Sequence, residues 1–149
     1  MYVSENNFMS IQSRQQALIE DFEFFDDWSD RYAYLISLGK TLDAFPDDKK
    51  DQAHMVRGCQ SQVWFDVEIR EGKLIFYGIS DAAIVSGLIG LLLKVYSNSY
   101  AEEILTSNTT FMDEIGLSQH LSPTRNNGLS AMINYIYKAA KDYADAQEA

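Results

Sequence analysis

Residues 62–70 read QVWFDVEIR, and this stretch decides the fold class of the 149-residue chain. Every second side chain is apolar, and these positions are Val63, Phe65, Val67 and Ile69. An alternation with period two is typical of a strand that buries one face and exposes the other. Glu71-Gly72 is a turn signal, and residues 74–79 have the composition of a returning strand. The sequence therefore predicts an antiparallel hairpin.

A tight turn at Glu71-Gly72 also fixes the register of this hairpin, provided that neither strand contains a bulge. Paired residue numbers then sum to about 143. Ile79 is expected opposite Trp64, and Asp81 opposite Gln62.

An apolar helix is predicted directly after the hairpin, over residues 82–96. Ser80-Asp81 is expected to cap it, because short polar side chains accept hydrogen bonds from the first free N–H groups of a helix. Ser86, Gly87 and Gly90 are small, so we expect this helix to approach the sheet closely.

Two helices are predicted before the hairpin. The first spans about residues 10–27 and starts with a Ser13-to-Gln16 capping box; the second is capped by Ser29-Asp30 and ends near Pro46. Residues 46–58 are polar and have neither period, which predicts a loop. The inward faces of the two helices are expected at Ile11, Leu18, Phe22, Phe25, Tyr32, Leu35, Ile36 and Leu42.

Shorter helical pieces follow the apolar helix, at a capping box over residues 99–102 and at 111–116. The last helix is predicted to begin with Ser122 as N-cap and Pro123 at its first position. Neither a repeat nor a linker divides the chain, so we expect one domain over residues 1–149 with an ordered core at about 10–143. The predicted class is α+β, with a small antiparallel sheet packed against several helices. The buried stripe of the last helix is expected at Leu129, Met132, Ile133, Ile136, Tyr137 and Ala140.

Charge and hydropathy exclude several classes of function. Twelve Lys and Arg against 22 Asp and Glu give a net charge of −10, which disfavours nucleic-acid binding. The longest uncharged apolar stretch, residues 82–93, is shorter than the ~20 residues of a membrane-spanning helix. The first residues resemble no secretory signal, so a cytoplasmic location without membrane contact is expected. The acidic run at 20–27 is interpreted either as a solvated helix face or as a docking patch for a basic partner.

Cys59 is the single cysteine of the chain, which excludes an internal disulfide and any site built from several thiolates of one chain. Its neighbours Gly58, Gln60 and Ser61 are small or polar, and it lies between a polar loop and a strand. This context favours a reactive thiol over an inert, packed one. The hairpin register brings it towards the start of helix 82–96, where a helix N-terminus favours thiolate and Asp81 disfavours it. The sign of the resulting pKa shift stays open.

Three further polar residues are candidates for the same site. His54 and His120 make a Cys–His pair formally possible, but they provide no recognisable metal-ligand spacing. Arg125 lies in the first turn of the last helix, where a cation opposes the helix dipole. This placement indicates either a functional arginine or an exposed one bonded to a carboxylate.

Three motifs in order resemble the SufE-type sulfur-acceptor family (SufE/CsdE). They are GCQSQVW at 58–64, GISDAAIVSGL at 78–88 and QHLSPTRNNGL at 119–129, and the resemblance covers about residues 10–143. It implies a SufE/IscU-like fold in which Cys59 accepts sulfur as a persulfide. Supporting site residues are expected at Gly58, Gln60, Ser61, Asp81, His120 and Arg125.

The resemblance also implies the partners. Sulfur would come from a SufS/CsdA-like cysteine desulfurase, which holds the pyridoxal phosphate, and would pass to iron–sulfur scaffold proteins. The chain itself would need neither cofactor nor metal and would act as a monomer or weak homodimer that activates the desulfurase. Because a persulfide oxidises easily, we expect Cys59 to be sheltered when unbound. An independent thiol enzyme, hydrolytic or peroxidatic, and a non-catalytic acidic adaptor are the alternatives.

Overall fold

The structure is a computed structural model that describes residues 10–59 and 61–148. Within these residues, one hairpin and seven α-helices follow one another, and two short 3-10 helices, Asp47–Lys49 and Gln52–His54, lie in the polar loop before the hairpin. The predicted α+β class is confirmed. The bounds are α1 Ile11–Glu23, α2 Trp28–Gly39, β1 Val63–Arg70, β2 Lys73–Ser80, α3 Ala83–Tyr96, α4 Ala101–Thr106, α5 Thr110–Ile115, α6 Leu117–His120 and α7 Pro123–Glu148.

The hairpin has the predicted register, with Trp64 opposite Ile79. Glu71 and Gly72 both have positive φ, at 54° and 80°, as a two-residue type I′ turn requires. The ladder ends at the Val63–Ser80 pair, so Asp81 has no strand partner. Ile69 is 45% exposed, so its predicted burial is wrong.

Helix α3 is the centre of the core and packs against both β2 and α2. A Cβ at Gly87 would lie 2.4 Å from the carbonyl oxygen of Leu35, and one at Gly90 would lie 2.5 Å from that of Leu38. These glycines therefore allow α2 to approach, and the prediction that they face the sheet is wrong. The close approach to the sheet is made by Gly78 of β2, which lies against Ile89.

The ends of the first two helices differ from the prediction. Ser10 caps α1 through the Ser13 N–H, so the helix starts before the predicted capping box. It ends at Glu23 rather than at 27, because Asp27 instead caps α2 by accepting from the Asp30 N–H at 2.9 Å. Helix α2 stops at Gly39, well before Pro46.

Two other predicted caps are corrected. Helix α3 has Ala82 at its N-cap position, one residue too late for the Asp81 carboxylate to reach the N–H groups of the first turn. Its Ala82 N–H bonds the Ser80 hydroxyl instead, at 3.2 Å. Helix α4 is capped by Glu103, which accepts from the Tyr100 N–H, while Ser99 is buried away from that helix end.

The start of α7 is as predicted. The Ser122 hydroxyl accepts from the Arg125 N–H at 3.2 Å, and Pro123 occupies the first helical position. Ile133 and Tyr137, predicted inside, are only partly buried. The buried residues of α7 are Gly128, Leu129, Met132, Ile136 and Ala140.

Candidate functional site

Cys59 opens into a cavity of about 240 Å³ between the loop that precedes β1, α3 and the first turns of α7. We call it the Cys59 cavity. One wall is apolar and comes from two helices, with Val85 and Leu88 on α3 and Leu129 and Met132 on α7. The rim is polar and consists of Ser61, Ser122, Thr124 and Arg125.

The loop that carries Cys59 is closed at its base by backbone pairing. Met55 and Trp64 form an antiparallel bridge, and the Val56 N–H donates to the carbonyl oxygen of Val63 at 2.8 Å. Gly58 has a φ of +95°, a backbone conformation that residues other than glycine rarely adopt. At this point the loop passes Ala131 of α7. Backbone geometry therefore directs Cys59 towards α7.

The thiol itself is half-buried. Its Sγ lies 3.7 Å from the carbonyl oxygen of Gly128, and a Cβ on Gly128 would lie 3.3 Å from that sulfur. Burial raises the pKa of the Cys59 thiol above its ordinary value. The direction that the sequence left open is therefore upward, because desolvation disfavours the thiolate.

Arg125 is brought to the rim of this cavity. Its side chain is exposed, and no hydrogen bond or ion pair involves its guanidinium within residues 10–59 and 61–148. The alternative interpretation of Arg125, as an exposed arginine bonded to a carboxylate, requires a partner that is absent from the part of the chain that the structure describes. An exposed cation and a half-buried sulfur atom therefore line the same cavity.

The other predicted supporting residues are placed unequally. Ser61 lines the cavity together with Cys59, Gly58 precedes Cys59 and lies against Ala131, and Gln60 lies outside the described residues. Asp81 is exposed, contacts the Ser80 hydroxyl at 3.5 Å and does not line the cavity. Its predicted role as a cap of this helix is wrong, since α3 begins one residue too late for it.

Neither histidine contacts the sulfur. His54 lies between two carboxylates, with Nδ1 2.7 Å from Asp51 and Nε2 3.7 Å from Asp66. His120 stacks on Trp28, and its Nδ1 lies 3.0 Å from the Gly116 carbonyl oxygen. A Cys–His nucleophile requires one of these rings within hydrogen-bond reach of Sγ, so the geometry disfavours an independent thiol hydrolase.

The described residues contain neither a cluster suited to a metal ion nor a helix suited to span a membrane. Over the residues that the structure describes, no group of three or more His, Cys, Asp or Glu side chains is placed to hold a metal ion. None of the described helices is both long and apolar enough to cross a membrane.

Comparison with known proteins decides the family. The family model described as SufE, Fe-S metabolism associated domain, matches residues 16–140. The chain belongs to the SufE family. The match includes all three sequence motifs and every residue of the Cys59 cavity, so the predicted resemblance is confirmed.

Named relatives agree with this SufE assignment, and a solved structure shows the same fold. An uncharacterized SufE-like protein of Rhizobium meliloti is 40% identical over 129 residues, which cover 83% of this chain and 92% of the relative. Another, of Rhizobium etli, is 41% identical over 134 residues, covering 87% and 90%. The solution structure of a hypothetical protein from Thermus thermophilus has the same fold, with a TM-score of 0.75 at 19% identity, covering 89% of this chain and 96% of that one.

Gly128 is one of the residues of this SufE-family site that the sequence analysis missed. It is buried inside α7, and its missing side chain makes room for the Cys59 sulfur. The signal was present, because a glycine inside a helix costs about 1 kcal/mol relative to alanine and marks a close approach.

Proposed function

We propose that this SufE-family protein accepts sulfur from a cysteine desulfurase as a persulfide on Cys59 and delivers it to iron–sulfur cluster assembly. The family assignment supports a sulfur-transfer role in iron–sulfur metabolism. The single observation that carries the residue assignment is the placement of the only cysteine at a half-enclosed cavity with a free guanidinium on its rim.

The chemistry is a displacement at sulfur. The desulfurase presents a persulfide, in which a terminal sulfur is bonded to the sulfur of its own cysteine. The Cys59 thiolate attacks the terminal sulfur, a new S–S bond forms at Cys59, and the desulfurase cysteine leaves as a thiolate. No external oxidant or reductant is needed, because one S–S bond replaces another.

The cavity favours storage over attack. Its apolar wall shields an outer sulfur atom from water and oxidants, while burial keeps the unbound thiol protonated. Attack requires the thiolate, so the Cys59 loop must leave the cavity when the desulfurase docks. The persulfide then returns to the cavity, where Arg125 can stabilise its negative charge. Having a single cysteine helps, since a second thiol of this chain would convert the persulfide to a disulfide.

The partners follow from this chemistry. A SufS/CsdA-like desulfurase is the proposed sulfur donor, and it supplies the pyridoxal phosphate that releases sulfur from free cysteine. This chain would need no cofactor of its own. Iron–sulfur scaffold proteins are the proposed acceptors, and the cytoplasm is the proposed location.

The Cys59→Ser variant tests the proposed function. We expect an unchanged melting temperature, because the substitution is small and lies in a loop. We also expect complete loss of sulfur acceptance and of desulfurase stimulation, since a serine hydroxyl does not undergo this exchange at neutral pH. Desulfurase turnover is measured with each variant, and the control is Ser130→Ala, which changes an exposed serine of α7 that does not line the cavity. If Cys59→Ser stimulates the desulfurase fully, the protein is a non-catalytic adaptor.

A further inference from the structure

Two side chains of α2 hold His120 from different directions. The Trp28 indole stacks on the His120 ring, with ring centroids 3.7 Å apart and 16° between the planes. One turn further along α2, the Tyr32 hydroxyl donates a hydrogen bond to the main-chain carbonyl of His120. We call this arrangement the His120 clamp; it fixes both the backbone and the side chain of one residue.

The clamp extends to the end of α5. Gly116 ends that helix in the left-handed conformation, and a Cβ there would lie 3.3 Å from the Trp28 ring. The indole therefore covers both ends of α6. His120 is itself exposed, so the stack does not serve to bury this side chain in the core.

The held segment continues directly into the wall of the Cys59 cavity. Asn126 ties the first turn of α7 back to it by donating to the Leu121 carbonyl oxygen at 3.3 Å. The Ser122 hydroxyl accepts from the Arg125 N–H. Ser122 and Arg125 both line the cavity. The stack and the hydrogen bond at His120 therefore connect α2 to the segment that leads directly into this rim.

We propose that Trp28 and Tyr32 are positioning residues that fix the Arg125 rim relative to Cys59. The buried side chains of Leu117 and Leu121 also anchor the segment 117–125 in the core, and the clamp adds an attachment between them at His120. Without the clamp, we expect this segment to loosen, so that Cys59 becomes more accessible and Arg125 is held less firmly at the rim of the cavity. The consequence for sulfur transfer rests on the proposed function, but the consequence for thiol access does not.

Thiol access is measured as the rate of Cys59 alkylation by iodoacetamide in the isolated protein. We expect Trp28→Ala to raise this rate about threefold or more through local opening, and Trp28→Phe, which keeps a ring, to stay near wild type. The matched control is Phe24→Ala, which removes an 80% exposed aromatic side chain four residues earlier and should change nothing. If Trp28→Ala fails to fold, His120→Ala removes the other ring of the stack from the exposed side and is expected to give the same increase. An unchanged rate in a folded clamp variant overturns the proposal.

A double-mutant cycle tests whether the clamp acts through Arg125. Sulfur acceptance from a desulfurase is compared for Trp28→Ala, Arg125→Ala and the double variant. If Trp28 positions Arg125, the double variant is no slower than Arg125→Ala alone; if Trp28 is only structural, the two losses multiply, which would contradict the proposal. Should the wild-type protein accept no sulfur, the proposed function fails, while the alkylation rates still decide the claim about the clamp.

Discussion

The Cys59 sulfur lies in surroundings that favour its protonated form. Burial raises the pKa of this thiol, because desolvation disfavours the charged thiolate. The native protein therefore keeps the thiol over a pH range in which the unfolded chain has already become a thiolate.

We predict a pH profile of alkylation from this shift. As pH rises, the unfolded chain should gain reactivity first and the folded protein later, because only the thiolate reacts. Iodoacetamide rates measured across pH in native buffer and in denaturant give the two midpoints. A lower midpoint in the folded protein would mean that a nearby cation, such as Arg125, already stabilises the thiolate before a partner binds.

Gly128 gives a second prediction at this scale. In Gly128→Ala, the new methyl carbon would lie 3.3 Å from the Cys59 sulfur, which is tighter than ordinary van der Waals contact, so the Cys59 loop has to shift slightly and the space for an outer sulfur is lost. Helix propensity favours alanine here by about 1 kcal/mol and offsets the strain of this contact, so the melting temperature should change little. Sulfur acceptance should nevertheless fall about tenfold, the equivalent of about 1.4 kcal/mol. Acceptance at the wild-type rate would show that the persulfide is not stored against α7.

At the scale of elements, α3 depends on a side chain from α1 for its C-terminal end. Arg14 is buried, and its Nη1 donates to the carbonyl oxygens of Val95 and Ser97 and to the Ser99 hydroxyl at 2.8–2.9 Å. The last carbonyl groups of a helix have no hydrogen-bond donors within that helix, and Arg14 provides the missing donor. Because α3 forms part of the cavity wall, this guanidinium also supports the site.

Arg14→Met is predicted to lower the free energy of unfolding by about 2–4 kcal/mol, because buried carbonyl groups lose a charged donor. Urea denaturation measures the effect. Arg70→Met provides the control, since that arginine lies on the exposed end of the hairpin and its removal should leave the midpoint unchanged. A small loss in Arg14→Met would show that water replaces the guanidinium at the helix end.

The first turn of α7 carries the prediction for Arg125. Arg125→Ala should melt like the wild type, because the guanidinium has no partner among the described residues. Sulfur acceptance should fall about tenfold or more. A defect that disappears at saturating desulfurase indicates docking, and one that persists indicates stabilisation of the sulfur anion; we expect docking. Arg125→Lys keeps the charge but loses the planar guanidinium, so it shows which of the two properties matters. Wild-type rates for Arg125→Ala at every desulfurase concentration would remove Arg125 from the site.

Most elements were predictable from the sequence, while several of their ends were not. Alternation and the Glu71-Gly72 turn determine the hairpin register, and Ser122-Pro123 determines the start of α7. The start of α3 was predicted to within one residue, but its cap was wrong, because Ala82 rather than Ser80 or Asp81 occupies the N-cap position. The role of Arg14 was missed because it depends on carbonyl groups more than 80 residues away.

At the scale of the whole molecule, the fold brings together motifs that are far apart in sequence. Cys59, Val85 and Arg125 come from the three recognised motifs and line one cavity. From the sequence alone, these three residues could not be distinguished from Asp81 and His120, which belong to the same motifs but do not line the cavity. The net charge of −10 is not concentrated there, since none of the cavity-lining residues is acidic.

The central claim is that Cys59 carries sulfur, and intact mass spectrometry tests it most directly. The protein is incubated with a cysteine desulfurase and free cysteine, separated without reductant and weighed. We predict a gain of one or more sulfur atoms that maps to the peptide containing Cys59, disappears on treatment with a thiol reductant and is absent from Cys59→Ser. An unchanged mass in the wild-type protein, or the same gain in Cys59→Ser, would contradict the account.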